Sequence, residues 1–265
     1  MKDIPRKRNS IEFKVWGPYA LFSDPITRIG GEKFSYQIPT YEAMKGIVES
    51  IYWKPTIIWY IDAIRVMKRI QTESKGIKTL QMDGIYPSMK DPTKKKEAVI
   101  SDLSFYTYLR DVEYQVIAHF EFNPYYTNLR GDWNENKHHN IAKRSVAKGG
   151  RRDIFLGTRE CQGLIEPCVF GLDKSFYDEY GEIDFGLMFH GFDYPNETGK
   201  PEFWKRLWRA KMSDGIIVFP SPAECQHNLR VFIRSMKPTS FNNKMNFCCI
   251  EADESISCLL DDKEV

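Results

Sequence analysis

The residues best suited to chemistry lie between Lys137 and Arg152, in the run KHHNIAKRSVAKGGRR. It carries Lys137, Lys143, Arg144, Lys148, Arg151 and Arg152, and no acidic residue. Two of the chain's five histidines, His138 and His139, stand at its start, and Gly149-Gly150 lies near its end. An imidazole titrates near neutral pH, so it can take or give a proton under working conditions. Cations beside it hold a polyanion and stabilise charge that develops on one. The glycines let the backbone approach a phosphate or another strand.

RNA cleavage without a metal fits such a set. The 2′-hydroxyl attacks the adjacent phosphate, a base takes its proton, an acid protonates the leaving 5′-oxygen, and cations hold the phosphorane. Each positioned proton-transfer group typically contributes roughly 10²- to 10⁴-fold. A tyrosine hydroxyl can orient a phosphate or shuttle a proton, but its ordinary pKa of about 10 makes it a poor base unless perturbed. Taken alone, Lys137-His138 also suits a solvated, positively charged helix start. A cation at the positive end of a helix dipole is unfavourable unless an anion sits there, which leans towards a phosphate.

Other constellations carry less. His119 falls within a strand pattern and reads as a packed side chain. His190 lies three before Asp193 but has no third ligand at sensible spacing, so it reads as structural. His227 sits in a polar loop. No Ser-His-Asp order, P-loop, H-E-x-x-H or dinucleotide fingerprint occurs. The six cysteines include no C-x-x-C and read as reduced thiols. No metal and no cofactor are expected. Trp133, Tyr125 and Tyr126, in a polar loop beside the basic run, are candidate stacking platforms for bases. Trp53, Trp59 and Tyr60 read as core.

Several elements must position these residues. IEFKVW (11–16) alternates as a strand does and should end at Gly17-Pro18. Residues 1–10 are polar and read as loose, and 18–40 as a long loop with short extended pieces. Thr40 is a good N-cap for a helix whose Met44, Ile47, Val48 and Ile51 share a face. Lys54-Pro55 ends it, placing Tyr52 in the last turn. IIWYIDAIRVMKRI (57–70) predicts a strand, 71–100 a loop or mobile insert, and 105–122 a strand with one buried face. A helix is predicted at about 138–148 with Gly149 at C′, then a short strand at 153–157. The order β-α-β-β-α-β predicts an α+β fold, with a ferredoxin-like (RRM-like) N-terminal domain. From Gln162 to Pro220 the pattern is mostly β. We expect a ferredoxin-like domain at 1–160 with an insert at about 81–100. A small C-terminal antiparallel β-sheet domain at 161–240 and a flexible acidic tail at 241–265 follow.

The 265 residues suffice for a sizeable core, and 42% are hydrophobic. The net charge of +2 hides an asymmetry, because Glu251–Val265 holds six acidic residues and one lysine. A basic body with an acidic end favours a nucleic-acid partner over a membrane. MKDIPRKRNS lacks the apolar region of a signal peptide. The most apolar stretch, Ile57–Ile64, contains Asp62 and is too short to span a bilayer. A cytoplasmic protein is expected.

EFKVWGPYALFSDP, EKFSYQIPTYEAMKGIVESIYWKP, RVMKRIQTESKG, YTYLRDVEYQVIAHFEFN, KHHNIAKRSVAKGGRRDIFLGTRECQG and MFHGFDYP occur in that order. Together they resemble the CRISPR-associated Cas-five family of the RAMP superfamily, in its subtype I-C (Dvulg) form, from about Ile11 to Pro220. The resemblance implies a metal-independent endoribonuclease that cuts the CRISPR precursor RNA at the base of the repeat hairpin by 2′-hydroxyl attack. It implies that the protein then stays on the 5′ handle of the crRNA, as a subunit of the Cascade complex. It further implies a catalytic set of Tyr52, in SIYWKP, with Lys137 and His138. His139 departs from the family pattern, where an aromatic residue is expected. Lys143, Arg144, Lys148, Arg151 and Arg152 are expected to grip the RNA backbone. Two alternatives stand beside this reading: a non-catalytic Cascade subunit that binds the 5′ handle, and a duplex-DNA-binding protein.

Overall fold

In the computed structural model, which describes residues 6–25, 32–81, 100–239 and 241, the strands join in one large, mainly antiparallel sheet. The strand order is β11 (Arg230–Ser235), β9 (Glu202–Ser213), β10 (Ile216–Val218), β3 (Ile57–Val66), β5 (Ile100–Phe122), β1 (Ile11–Ala20), β7 (Gln162–Pro167), β6 (Ile154–Phe155). The first strand, β1 (Ile11–Ala20), alternates buried and half-exposed residues, which puts Ile11, Phe13 and Val15 in the core. It runs through Gly17-Pro18 instead of turning there. Gly17 serves close packing: a Cβ on it would lie 2.7 Å from Leu156 Cδ1 and 2.9 Å from the Gln162 carbonyl. The ladder to β5 (Ile100–Phe122) skips Pro18, which has no N–H to offer.

After the two-residue β2 (Lys33–Phe34) comes helix α1 (Tyr41–Ile51). Thr40 caps it as expected, its hydroxyl accepting from the Ala43 N–H. Met44, Ile47, Val48 and Ile51 are buried on the sheet. Each such side chain contributes roughly 1.5–3 kcal/mol by leaving water. Strand β3 (Ile57–Val66) pairs with the second half of β5 and with β10 (Ile216–Val218).

The segment read as a loop from residue 71 is instead strand β4 (Thr72–Gln81), paired with the first half of β5. Its polar sequence and Gly76 hide it, because pairing to a neighbour rather than intrinsic preference forms this strand. β5 has 23 residues because different strands use its two ends. Of the expected insert only the borders are described, where Gln81 pairs with Ile100. Residues 82–99 and 242–265, which include nearly all of the acidic tail, lie outside the described residues.

Helix α2 (Glu135–Ala147) starts earlier than predicted, capped by Asn134. His138, Ala142, Ser145 and Val146 form its buried face. Gly149 follows at φ 82°, its N–H donating to the Val146 carbonyl, as expected of a C′ glycine. Next come β6 (Ile154–Phe155) and β7 (Gln162–Pro167), which pairs with β1. β8 (Glu182–Asp193) and β9 (Glu202–Ser213) form a long hairpin around the short helix α3 (Pro195–Thr198). β10 and the edge strand β11 (Arg230–Ser235) complete the sheet. Residues 6–10 are anchored rather than loose: Lys7 pairs with Glu121, and Asn9 Nδ2 donates to the Phe120 carbonyl at 2.6 Å. No helix among the described residues is long and apolar enough to cross a membrane.

Gly157 is the least replaceable turn residue on these grounds. It has φ +96°, and a Cβ on it would lie 2.1 Å from the Leu21 carbonyl oxygen. Gly157→Ala should cost more than about 2 kcal/mol by denaturant unfolding. Gly131→Ala, where a Cβ meets nothing within 4 Å, is the control and should stay within about 1 kcal/mol.

Candidate active site

Two chain segments 86 residues apart meet in one buried hydrogen bond: Tyr52 Oη lies 2.7 Å from His138 Nδ1. Tyr52 is the C-cap of α1, with extended backbone at φ −159° and ψ 123°. Its N–H donates to the Val48 carbonyl, and its own carbonyl accepts from Trp59 Nε1 at 2.7 Å. The helix end therefore aims the ring. His138 lies one turn into α2, on the helix's core-facing side. Phe120 and Phe122 pack edge-on against its ring at 6.1 and 6.0 Å.

Burial overturns the idea of a solvated Lys-His step. His138 is 0% exposed and Tyr52 1%. Lys137, half-exposed, is the open member. His138 Nε2 lies 2.8 Å from the Asp132 carbonyl oxygen, which can only accept, so Nε2 carries the hydrogen. In the neutral ring Nδ1 is then an acceptor, and Tyr52 donates to it. Burial holds the His138 pKa below its ordinary value, although the Asp132 carbonyl and carboxylate pull it back up. Burial, and then the charge of Asp132, push the Tyr52 pKa up to about 12, while Arg151 opposes them. At neutral pH the pair is an un-ionised phenol donating to an un-ionised imidazole.

Asp132 is the residue that the sequence reading missed. It ends a short 3-10 turn, Thr127–Asp132. Its carboxylate pairs with Lys137, accepts from Thr56 Oγ1 at 3.1 Å and lies 3.4 Å from His138 Nε2. Burial pushes its pKa up, but the Lys137 hydrogen bond, the charge of His138 and the Thr56 hydroxyl outweigh that and leave it lowered. The anion sought at the helix start is therefore present, and it is this carboxylate. One signal was available, since Asp132 is the only acidic residue between Glu121 and Glu135.

The predicted grip has a shared character. Lys143, Arg144, Lys148, Arg151 and Arg152 are all exposed. None of them forms an ion pair among the described residues. The Arg152 N–H donates to the Ser50 carbonyl, which brings the glycine turn to the end of α1. The Arg151 guanidinium stands 5.6 Å over the Tyr52 ring. His139 does not join the pair; its Nε2 meets the Ser10 carbonyl at 3.0 Å.

The remaining candidates sort clearly. His119 is buried, bonded to Asp62 and stacked on Tyr60. His190 is buried and stacked on Tyr41, and it accepts from Arg206, which also pairs with Asp193. These two histidines are structural, as expected. Trp59 is buried, but Trp53, expected in the core, is 41% exposed. Tyr126, expected as a platform, is buried at 8%, whereas Tyr125 is 53% exposed. Trp133 is half-buried and stacks on Phe122 at 5.2 Å.

The sequence and fold have known relatives. A family model described as CRISPR-associated protein (Cas_Cas5) matches residues 10–220. The chain is 30% identical over 238 residues to the CRISPR pre-crRNA endoribonuclease Cas5d of Mannheimia succiniciproducens, a match that covers 80% of this chain and 95% of that one. It is 27% identical over 206 residues to the CRISPR pre-crRNA endoribonuclease Cas5d of Thermus thermophilus, covering 76% and 82%. A crystal structure of a CRISPR-associated protein is 34% identical with a TM-score of 0.64, covering 82% of this chain and 94% of that one.

Two buried histidines make stability pH-dependent. The His138 pKa is lowered by burial. Burial, followed by the Arg206 charge, takes that of His190 down to about 3. Both folded-state values lie below the unfolded one, so the stability is present above about pH 6.5 and is lost as pH falls. Denaturant unfolding at pH 7 and pH 5 should differ by about 2 kcal/mol from His190 alone. That part should vanish in His190→Gln.

Proposed function

The chain belongs to the CRISPR-associated Cas5 family, of the Cas5d type, and on that premise we propose that it is the endoribonuclease that cuts CRISPR precursor RNA within the repeat. The observation that carries the mechanism is the buried Tyr52–His138 hydrogen bond. A phenol with a pKa near 12 is no base by itself. It can, however, accept the 2′-hydroxyl proton on Oη while giving its own to His138 Nδ1. The 2′-oxygen then bonds to phosphorus and the bond to the 5′-oxygen breaks. The imidazolium returns its proton along the same path to the leaving 5′-oxygen, so the site ends as it began. The Asp132 carboxylate, 3.4 Å from Nε2, stabilises the imidazolium while it exists.

Lys137 supports the phosphorane, exchanging its Asp132 partner for the phosphate. Because Tyr52 and His138 are buried, RNA must displace the side chains above them. Arg151, exposed and without an acidic partner among the described residues, is placed to swing from the Tyr52 ring to a phosphate. The reaction asks for no metal. Lys143, Arg144, Lys148, Arg151 and Arg152 grip the backbone, and the protein stays on the crRNA 5′ handle among the other subtype I-C Cascade subunits.

The strand order β3-β5-β1-β7, with α1 and α2 as crossovers, supports a ferredoxin-like N-terminal unit. The unit would span residues 1–160, with β7 counted to it by its pairing. The β8–β11 strands would form a smaller unit that continues the sheet through β10 and extends to about residue 240. The same burial of Tyr52 and His138 favours one other reading, a subunit that binds the 5′ handle without cutting.

Incubating the protein with its own repeat RNA in EDTA tests the chemistry. The native RNA should be cut, and a copy with a 2′-deoxy nucleotide at the cut site should not. Tyr52→Phe and His138→Ala should each lose about 10²-fold or more in single-turnover rate. Full activity in either variant sinks the relay, and binding without cleavage of native RNA establishes the non-cutting subunit. Affinity should fall roughly 100-fold between 50 and 200 mM salt if the five exposed cations meet five phosphates of a single strand.

A further inference from the structure

A cavity of about 240 Å³ lies beside the C-terminal end of α1, and its walls include Glu49, Trp53, Asn123, Tyr126, Glu197 and Phe241. It is smaller than the roughly 300–1,000 Å³ of sites for drug-sized ligands. Four of the lining residues are aromatic: Trp53, Tyr126, Tyr194 and Phe241. Trp53 and Tyr126 meet the Phe241 ring edge-on at 6.2 and 5.0 Å. The polar groups of the wall are mostly consumed. Asn123 Nδ2 donates to the Asn196 carbonyl at 2.7 Å, and Tyr126 Oη donates to the Thr239 carbonyl at 2.9 Å. Lys45 pairs with Glu197, while Glu42 accepts from the Phe192 N–H and the Tyr194 hydroxyl.

Glu49 is the exception. Among the described residues its carboxyl has no hydrogen bond and no ion pair. Burial, opposed by Lys45 and assisted by Glu197 and Glu42, raises its pKa to about 7. Glu49 is half-buried at the cavity wall, and partly desolvated carboxyls without a partner cluster where a ligand completes them.

The chemistry of the walls selects that ligand. Glu42, Glu49 and Glu197 together repel a phosphate. The exposed Trp53 ring suits a planar group. An ionised carboxylate offers only acceptors, so it pairs best with two adjacent N–H donors. Among the RNA bases only guanine presents such a pair, N1–H beside the 2-amino group. Adenine and cytosine place one donor beside an acceptor, and uracil flanks one donor with two acceptors. Unpaired RNA bases are characteristically splayed out, stacked on aromatic side chains and read on this edge. Trp53 also adjoins Tyr52 in the chain, which ties this cavity to the segment that carries the phenol.

We propose that this cavity takes one unpaired guanine of the repeat RNA, its ring against Trp53 and its N1–H and 2-amino edge on the Glu49 carboxylate. Glu49 is then a specificity residue for where the RNA is cut. The inference rests on the endoribonuclease reading above.

The test replaces each unpaired guanine flanking the repeat hairpin by inosine, one at a time. Inosine keeps N1–H and loses only the 2-amino group. Affinities are measured for the wild-type protein and for Glu49→Gln, whose folding is checked by its melting curve. At one position inosine should weaken wild-type binding about tenfold and Glu49→Gln binding less than about twofold. No sensitive position, or an equal loss in both proteins, overturns the guanine pocket. Cleavage of unmodified RNA by the wild-type protein is scored alongside. Its absence brings down the endoribonuclease reading, whereas its presence without the coupling brings down the pocket alone.

Discussion

One hydrogen bond between two groups withdrawn from water, Tyr52 Oη and His138 Nδ1, sets the terms for everything around it. A buried hydrogen bond adds only about 1 kcal/mol net, but stranding one of its partners costs roughly 1–3 kcal/mol. The two residues must therefore be kept in register together. That register demands a helix ending in an extended residue, a second helix turning a histidine inward on an otherwise mixed face, and the glycine turn after it tied to Ser50. The sheet beneath supplies Trp59 to hold the Tyr52 carbonyl and Phe120 and Phe122 to wall in the imidazole.

Asp132 resolves the electrostatics of this buried pair. Its carbonyl fixes the imidazole tautomer, and its carboxylate occupies the ammonium of Lys137. A single residue thus holds both the imidazole and the ammonium. The same low-dielectric setting that keeps His138 neutral makes any charge gained there dear unless a carboxylate stands by. The cations outside, by contrast, are exposed and form no ion pair among the described residues.

Much of the frame was legible beforehand. The alternation in Ile11–Val15, the Thr40 cap, the apolar face of α1 and the Gly149 stop are local signals, and each appears where local chemistry put it. The resemblance carried on ordered blocks from Ile11 to Pro220 agrees with the family match over residues 10–220. The failures are non-local. β4 is a strand because β5 is long enough to pair with it, and β1 passes through Gly17-Pro18 because its ladder to β5 holds at Gly17 and resumes at Tyr19. Tyr126 is buried because Thr239 and Phe241 lie against it, whereas Trp53 stays exposed.

The sequence by itself determined which chemistry was on offer: a tyrosine at a helix exit, a Lys-His pair and a cationic run free of acids. Residue type and short spacing decide those. Only the tertiary structure decided how the parts are used. Residues 86 positions apart were brought within a hydrogen bond, His138 was turned inward with Ala142 and Val146, and Asp132 was set between His138 and Lys137. The physical reason is that burial and partner distance fix protonation and tautomer, and both arise from packing between elements that no local window contains.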